Sequence, residues 1–229
     1  MASSLILAID NSLDFLNMGL ALDGHLIEER HTRSPLHSSQ ILPLRVSAML
    51  TEAGYHASDL SLLVVTVGPG SFTGIRVGIA FCKGLASALA IPLVGVSTLD
   101  VLASSLAFLE GYEICPLIDA KKGEVFFSFY TSTGGKIVRT ADYGSLRPET
   151  LKERLPRPCL CFGSGVRLCR EALSGSEGVL LISEAFDRLT AGALIATALE
   201  RLESGEKAEL KPIYGRRSEA EIKFNVNLS

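Results

Sequence analysis

The chain has 229 residues, 47% of them hydrophobic and 21% charged, and its formal net charge is -3. This composition can bury a full core, which excludes a disordered chain, and the charge does not favour a polyanion binder unless a local basic patch is present. No apolar run reaches the roughly 20 residues that a membrane helix needs, and the start lacks the positive region of a signal peptide. The five cysteines do not form a secreted disulfide framework, and Cys159 and Cys161 lack further ligands for zinc, so we expect a cytoplasmic protein.

The amino-terminal half predicts three strands followed by alternating helices and strands. SLILAID, FLNMGLAL and HLIEERH are typical of antiparallel strands, and Asp23-Gly24 is a strong hairpin signal between the second and the third. Helical period follows in HSSQILPLRVSAMLTEAG, where Leu42, Val46 and Met49 share one face. LSLLVVTV predicts a strand covered on both faces. A glycine-rich loop, a helix over about residues 73–89, the strand PLVGV and a helix over about residues 98–109 complete this half.

This order of elements predicts the fold class. Three antiparallel strands followed by parallel crossovers make a mixed sheet with helices on its faces, as in the ribonuclease H-like core of the actin, Hsp70 and sugar-kinase superfamily. A second set begins near Gly111 with YEICPLID, EVFFSFYTS and GKIVRTADY as strands. We therefore expect an α/β protein with two ribonuclease H-like lobes. The predicted limits are 1–110 for the first lobe, with a last helix at about 190–204 packing back on it, 111–189 for a smaller lobe, and 205–229 for a tail that is mobile or reserved for a partner.

The stretch VTVGPGSFTGIRVG places a glycine-rich loop between a strand and a helix. It lacks the lysine of a P-loop, because Ile75 and Arg76 follow Gly74, and its glycines do not have the dinucleotide-binding spacing. A helix N-terminus at this place still allows an anion to bind. The alternative is a tight turn in which glycines supply positive φ and a hydroxyl caps the helix. The residues of a residual anion or nucleotide site are Asp10, Gly68, Gly70, Ser71 and Thr73.

Two groups of acidic residues have a functional and a structural interpretation. Asp10 ends the first strand where kinases and ATPases of the superfamily place a carboxylate that faces phosphate or metal. The interpretation that we favour is a carboxylate that caps a turn beside Asn11 and Ser12. Asp119 and Glu124 lie near a predicted hairpin, and a catalytic pair there needs an activated nucleophile or a metal. We expect their charges to face solvent or a partner.

The helix after the glycine loop is rich in small residues. Gly78 and Gly84 lie inside it, and each costs about 1 kcal/mol relative to alanine. Such a flat helix surface is expected where another backbone approaches closely. That neighbour is either the chain's own sheet or a helix of another subunit.

Five segments together resemble one family: LAIDNS, HSSQILP, GPGSFTGIRVGIAFCKGLA, GVSTLDVLA and DAKKGEVFF. They are similar to the bacterial TsaB family, also called YeaZ, and KPIYGRR extends the resemblance into the carboxy-terminal half. The resemblance implies a subunit of the machinery that makes N6-threonylcarbamoyladenosine (t6A) at position 37 of tRNAs that read codons beginning with A. It implies support of the transferase TsaD, a paralogue, in a heterodimer that the ATPase TsaE joins.

The resemblance also separates the chain from the transferase itself. TsaD carries a metal-binding H-x-x-x-H motif after its "GV" strand, and here Thr98 and Leu102 occupy those two positions. A hydroxyl and an alkyl group do not replace two imidazoles as metal ligands. We therefore expect no metal, no cofactor and no catalytic residues. The alternative is a small ATP-dependent phosphotransferase or hydrolase of the superfamily that uses Asp10 and the glycine loop.

The first two helices are the expected interface with TsaD, packed as a four-helix bundle, and the same surface is expected to form a homodimer when TsaD is absent. The chain has two adjacent basic pairs, Lys121-Lys122 and Arg216-Arg217, which could contact a tRNA backbone. Because two pairs carry little positive charge, contact with tRNA is expected only through the complex. Aspartate at Gly78 or Val46 is expected to abolish pairing while leaving the fold intact. The predicted interface residues are Leu42, Val46, Met49, Arg76, Gly78, Ile79 and Cys82.

Overall fold

The computed structural model describes residues 4–33, 38–182, 186–206 and 210–215. They form two compact units: unit 1 comprises Met1–Val101 and Leu189–Pro212, and unit 2 comprises Leu102–Arg188 and Ile213–Ser229. Most of the predicted tail and the pair Arg216-Arg217 lie outside the described residues. The domain limits expected from the sequence stay a prediction.

The strands are numbered along the chain. Those of unit 1 are β1 (Leu5–Asp10), β2 (Phe15–Leu22), β3 (His25–Arg33), β4 (Leu60–Gly68) and β5 (Leu93–Ser97). Those of unit 2 are β6 (Glu113–Lys121), β7 (Glu124–Phe127), β8 (Tyr130–Thr133), β9 (Lys136–Arg139), β10 (Gly144–Leu146), β11 (Cys159–Phe162) and β12 (Val179–Leu181).

The helices are α1 (Ser38–Glu52), α2 (Phe72–Leu89), α3 (Thr98–Ser104), α4 (Pro148–Arg154), α5 (Val166–Leu173) and α6 (Ala191–Glu203), and a 3₁₀ turn covers Ala57–Asp59. α3 ends five residues earlier than the sequence pattern predicts. The chain continues there in tight turns, in which the amides of Ser105 and Leu106 donate to the carbonyls of Leu102 and Ala103.

Unit 1 contains a five-stranded mixed sheet in the order β3-β2-β1-β4-β5. β1 pairs antiparallel with β2 and parallel with β4, and β5 continues the parallel half. The central strand β1 is buried along its whole length, as the apolar run over residues 5–9 predicts, and its last residue, Asp10, is buried as well. The sheet therefore has the order that the succession of elements predicted, and the predicted fold class is confirmed.

Helix α6 belongs to unit 1 although it is distant in sequence, and it packs against β1 and β2. Thr190 caps its first turn by accepting a hydrogen bond from the amide of Ala193 at 3.1 Å. The close approach requires glycine in β2, because a Cβ atom at Gly19 would lie 2.6 Å from the Cβ of Ala191. Near its carboxyl end, Arg201 forms an ion pair with Asp100.

The sheet of unit 2 repeats the same strand order, β10-β7-β6-β11-β12. The single strand predicted at EVFFSFYTS is interrupted, so that β7 pairs with the carboxyl half of β6 and β8 with its amino end. The interruption lies at Ser128 and Phe129, where the hydroxyl of Ser128 donates to the carbonyl of Ala141 and the carbonyl of Phe129 accepts from the amide of Thr140. Consequently β9 folds back on β8, and β10, which the sequence did not predict, occupies the edge beside β7.

One helix in the described part of the chain, α2, is long and apolar enough to cross a membrane by length and composition alone. This is weak evidence, because core helices of water-soluble proteins pass the same test. Six of its 18 residues are buried within the protein.

The packing of α6 on the sheet is testable by truncating two leucines of the same helix. Leu194 is fully buried, so Leu194→Ala should leave a cavity and lower the free energy of unfolding by about 2–5 kcal/mol. Leu202 is 44% exposed, and Leu202→Ala should change that free energy by about 0.5 kcal/mol. Urea unfolding followed by circular dichroism measures both, and equal effects would show that α6 does not cover the sheet.

Candidate functional site

The carboxylate of Asp10 at the end of β1 is fully buried and surrounded by donors. It accepts hydrogen bonds from the amide and the hydroxyl of Ser12, at 2.9 and 2.5 Å. Asn17 Nδ2 and Thr66 Oγ1 donate to it at 2.7 Å each. Three of these donors share Oδ1 and Asn17 Nδ2 binds Oδ2, so both carboxylate oxygens are hydrogen-bonded within unit 1. Thr98 in turn donates its hydroxyl to Ser12 Oγ at 2.9 Å.

The glycine loop lies directly against the turn that follows β1. A Cβ atom at Gly70 would lie 2.1 Å from the carbonyl oxygen of Ser12, and one at Gly74 would lie 1.9 Å from that of Asn11. The amide of Ser71 donates to the Ser12 carbonyl at 2.7 Å. The hydroxyl of Ser71 caps α2 by accepting from the amide of Gly74 at 3.2 Å. The turn after β1 is therefore in close contact with the glycine loop and with the first turn of α2.

The residues of the predicted anion site are thus divided between the interior and the surface. Asp10 and Gly68 are buried, whereas Ser71 and Thr73 are exposed at the start of α2. The geometry agrees with the favoured interpretation of Asp10, in which its carboxylate caps the turn through the amide of Ser12. The anion site as a whole stays a prediction.

A row of polar side chains extends from Asp10 across the sheet and was not found from the sequence. Asn17 is the register partner of Asp10 on β2, and His31 is the register partner of Asn17 on β3. Asn17 Nδ2 donates to Asp10, and its Oδ1 forms a hydrogen bond with His31 Nδ1. The exposed His31 ring stacks on Phe15 with centroids 4.2 Å apart. The signal in the sequence was a lone polar residue inside an apolar strand, such as Asn17 in FLNMGLAL or Thr66 in LSLLVVTV.

Among the described residues, no group of three or more His, Cys, Asp or Glu side chains could hold a metal ion. Thr98 and Leu102 occupy the two positions at which TsaD has its histidines. The hydroxyl of Thr98 donates to Ser12 Oγ, and Leu102 is buried. In the hairpin of unit 2, Asp119 accepts from the amide and the ammonium group of Lys121 at 2.7 and 3.1 Å. Glu124 accepts from the hydroxyl of Ser145. Asp119 thus binds donors of its own turn, and Glu124 binds a donor of the neighbouring strand β10.

The predicted interface residues have the opposite exposure to the one expected. Six of the seven are buried in unit 1, and Arg76 alone is exposed, with its guanidinium 3.7 Å from the centroid of the Phe72 ring. The helical period was right, but the stripe that it defined is buried within unit 1. Aspartate at Val46 or Gly78 would therefore bury a charge and disrupt the fold, contrary to the expectation from the sequence. The interface stays a prediction, and its residues are revised.

A different set of apolar and small residues remains accessible on these helices. Leu44 is 71% exposed on α1, and on α2 a Cβ atom at Gly84 would meet no atom within 4 Å. No contact within unit 1 therefore requires glycine at this position in the middle of a helix. We call this surface the outer face of α1 and α2. It comprises Ile41, Leu44, Ala48, Val77, Ala80, Phe81, Gly84 and Leu85, all exposed or half-buried.

The fold and the site define a class: a two-unit protein of the actin, Hsp70 and sugar-kinase type whose central carboxylate is sealed inside the fold. A family model described as TsaD, tRNA N6-adenosine threonylcarbamoyltransferase, matches residues 31–153. The tRNA threonylcarbamoyladenosine biosynthesis protein TsaB of Bacillus subtilis is 34% identical over 177 residues, which are 73% of this chain and 74% of the relative.

Two solved structures are similar to this one. A Pseudomonas aeruginosa protein with similarity to peptidase YeaZ has a TM-score of 0.77 at 28% identity and covers 93% of this chain and 100% of its own. Lmo2764 of Listeria monocytogenes, a candidate N-acetylmannosamine kinase, has a TM-score of 0.50 at 10% identity, covers 88% of this chain and 100% of its own, and shows the fold alone. The chain belongs to the TsaB (YeaZ) family of tRNA threonylcarbamoyladenosine biosynthesis proteins.

Two glycines of α2 allow the sealing of the site to be tested. Gly74→Ala should lower the free energy of unfolding by about 1–3 kcal/mol, because its methyl group would overlap the Asn11 carbonyl. Gly84→Ala adds the same methyl group in open space and should raise it by about 1 kcal/mol through helix propensity. Thermal and urea unfolding of both variants measure the difference, and a neutral Gly74→Ala would contradict the close contact.

Proposed function

We propose that the chain is a non-catalytic, cytoplasmic subunit that binds a transferase of the TsaD family through the outer face of α1 and α2. In this role it is required, together with the ATPase TsaE, for t6A at adenosine 37 of tRNAs that read ANN codons. The observation that carries the proposal is the accessible apolar surface of two adjacent helices. Exposed apolar patches of this kind on a protein with a full core mark interaction surfaces.

The position of this surface in the chain supports a TsaD-type partner. The TsaD family model matches residues 31–153, and α1 and α2 lie inside that range. A transferase of that family therefore carries two counterpart helices. Two related helix pairs can associate around a pseudo-twofold axis, as identical ones do in an isologous dimer. The same reasoning predicts a homodimer of this chain when the transferase is absent.

The composition of the outer face favours helix packing at short range. Ala80 and Gly84 are one turn apart on α2 and place no bulk above the backbone, so a partner helix can approach closely. Leu44 on α1 offers a large side chain to the same partner. Hydrogen bonds from Arg45 to Thr32 and from Arg30 to Glu52, at 2.5 and 2.6 Å, fix α1 to β3.

The burial of the central carboxylate supports a non-catalytic role. In a phosphotransferase this group must reach a phosphate or a metal ion, and Asp10 has no exposed surface and accepts four hydrogen bonds from within unit 1. The phosphotransferase alternative therefore rests on the fold alone. A peptidase needs an activated nucleophile or a metal, and the side chains around Asp119 and Glu124 provide neither.

The first test is threonylcarbamoylation of tRNA by a reconstituted system that contains TsaD, TsaE and the enzyme that forms threonylcarbamoyl-adenylate. We expect t6A formation to collapse when this chain is omitted and to return when it is added, while the chain alone hydrolyses no ATP. Nucleoside analysis of the tRNA and phosphate release measure the two results. Full activity without the chain, or turnover of ATP by the chain alone, would contradict the proposal.

The second test places a charge on the outer face. Ala80→Asp and Leu44→Asp should each weaken binding to TsaD at least about tenfold, because the partner surface would desolvate an unpaired carboxylate. Both side chains are exposed in the isolated chain, so the circular dichroism spectrum should not change. Ala57→Asp, on the exposed 3₁₀ turn outside these helices, is the matched control and should bind normally. Analytical ultracentrifugation measures the heterodimer and the homodimer; unaffected binding by both variants would rule out this face.

A further inference from the structure

Four of the five cysteines lie in the core of unit 2, and three of them are in mutual contact. Cys115 on β6, Cys159 and Cys161 on β11, and Cys169 on α5 are all fully buried in one apolar cluster. The sulfur atoms of Cys159 and Cys161 are 4.0 Å apart. The Cys115 thiol forms hydrogen bonds with both. The fifth cysteine, Cys82 on α2, lies in unit 1.

The register of the sheet singles out one pair. Cys115 and Cys161 are directly opposite each other on the neighbouring parallel strands β6 and β11. Adjacent strands are about 4.8 Å apart, which lies inside the range of roughly 4.4–6.8 Å between the Cα atoms of disulfide-linked cysteines. Cys159 precedes Cys161 by two residues on β11 and is not opposite Cys115, because its register partner is Glu113.

We propose that Cys115 and Cys161 form a modification site at which a peroxide produces a disulfide between β6 and β11. The thiolate of one cysteine attacks a peroxide oxygen, the O–O bond breaks, and sulfenic acid and water form. The thiol of the other attacks the sulfenic sulfur, the S–O bond breaks, and a second water leaves. Two thiols are oxidised to one disulfide while one hydrogen peroxide is reduced to two waters.

Access to the buried sulfurs comes from the elements that cover them. Burial raises the pKa of the Cys115 thiol, so the pair is unreactive while the core is closed. β12 is a three-residue edge strand with Leu180 51% exposed, and α5 has only eight residues. Short peripheral elements open locally at a lower free energy than a whole unit unfolds. When they open, the second thiol is already beside the first and traps the sulfenic acid before it oxidises further.

Cys82 provides an internal comparison. Burial raises the pKa of Cys82 to about 12, and burial also raises the pKa of Cys115. Hydrogen bonds to other thiols influence the pKa of Cys115 and are not among the causes given by the surroundings of Cys82. If Cys82 is oxidised, no resolving thiol is adjacent, and the product is a sulfinic or sulfonic acid. The two sites therefore share burial and differ in the presence of a second sulfur.

The experiment treats the purified full chain with hydrogen peroxide, blocks remaining thiols under denaturing conditions and identifies products by mass spectrometry. We expect the major oxidised species to lose two hydrogen atoms, to retain three of its five free thiols, and to contain a peptide that links Cys115 to Cys161. Dithiothreitol should restore the original mass. The proposal is overturned if Cys82 is the main oxidised residue, if the cluster yields only sulfinic or sulfonic acids, or if the linked pair includes Cys159.

Cysteine-to-alanine variants test the pairing of Cys115 with Cys161 independently of the peptide map. Cys115→Ala and Cys161→Ala should each abolish the species that lacks two hydrogens, whereas Cys82→Ala and Cys159→Ala should retain it. Circular dichroism and the melting temperature establish that each variant is folded before treatment. Should a cluster variant fail to fold, the peptide map of the unmodified sequence still decides the pairing. Persistence of the disulfide in folded Cys161→Ala would refute it.

Discussion

A carboxylate that loses its water on folding must find hydrogen-bond donors within the protein, and unit 1 is organised around that requirement at Asp10. Its donors come from the turn after β1, from β2 and from β4, so one side chain ties three segments together. Two further hydrogen bonds fix this turn: the hydroxyl of Thr98 donates to Ser12 Oγ, and the amide of Ser71 donates to the carbonyl of Ser12. Gly70 and Gly74 leave the space that this turn occupies. The glycine loop serves the packing of the turn.

Not all apolar residues of unit 1 are buried in its interior, because one side of α2 is exposed. One side of α2 packs on the sheet through residues such as Ile75 and Cys82, and the other side carries Ala80 and Gly84 to the solvent. α2 is apolar enough to resemble a membrane span in composition, yet only one of its sides is buried within unit 1. Membership of the TsaB family places the chain in t6A biosynthesis, where a protein surface can cover the second side.

The sequence was sufficient for the strand order, because each crossover and hairpin in unit 1 has its own local signal, such as Asp23-Gly24. It was not sufficient for the strand at EVFFSFYTS, since the hydrogen bonds of Ser128 and Phe129 to residues 140 and 141 depend on tertiary pairing. Helical period located the stripe of Leu42 and Val46 but did not show whether it is buried inside the chain itself or against a partner. The donors to Asp10 depend on register between strands that lie far apart in the sequence.

The position of α6 has a consequence for the order in which the chain completes its structure. Unit 1 takes its last helix from residues 191–203, whereas the main segment of unit 2, Leu102–Arg188, is continuous. During synthesis, α6 cannot cover β1 and β2 until the whole of residues 102–188 has left the ribosome. Domains that are continuous in sequence fold as soon as they emerge. Unit 1, which is encoded first, is therefore completed only after the main segment of unit 2 has been made.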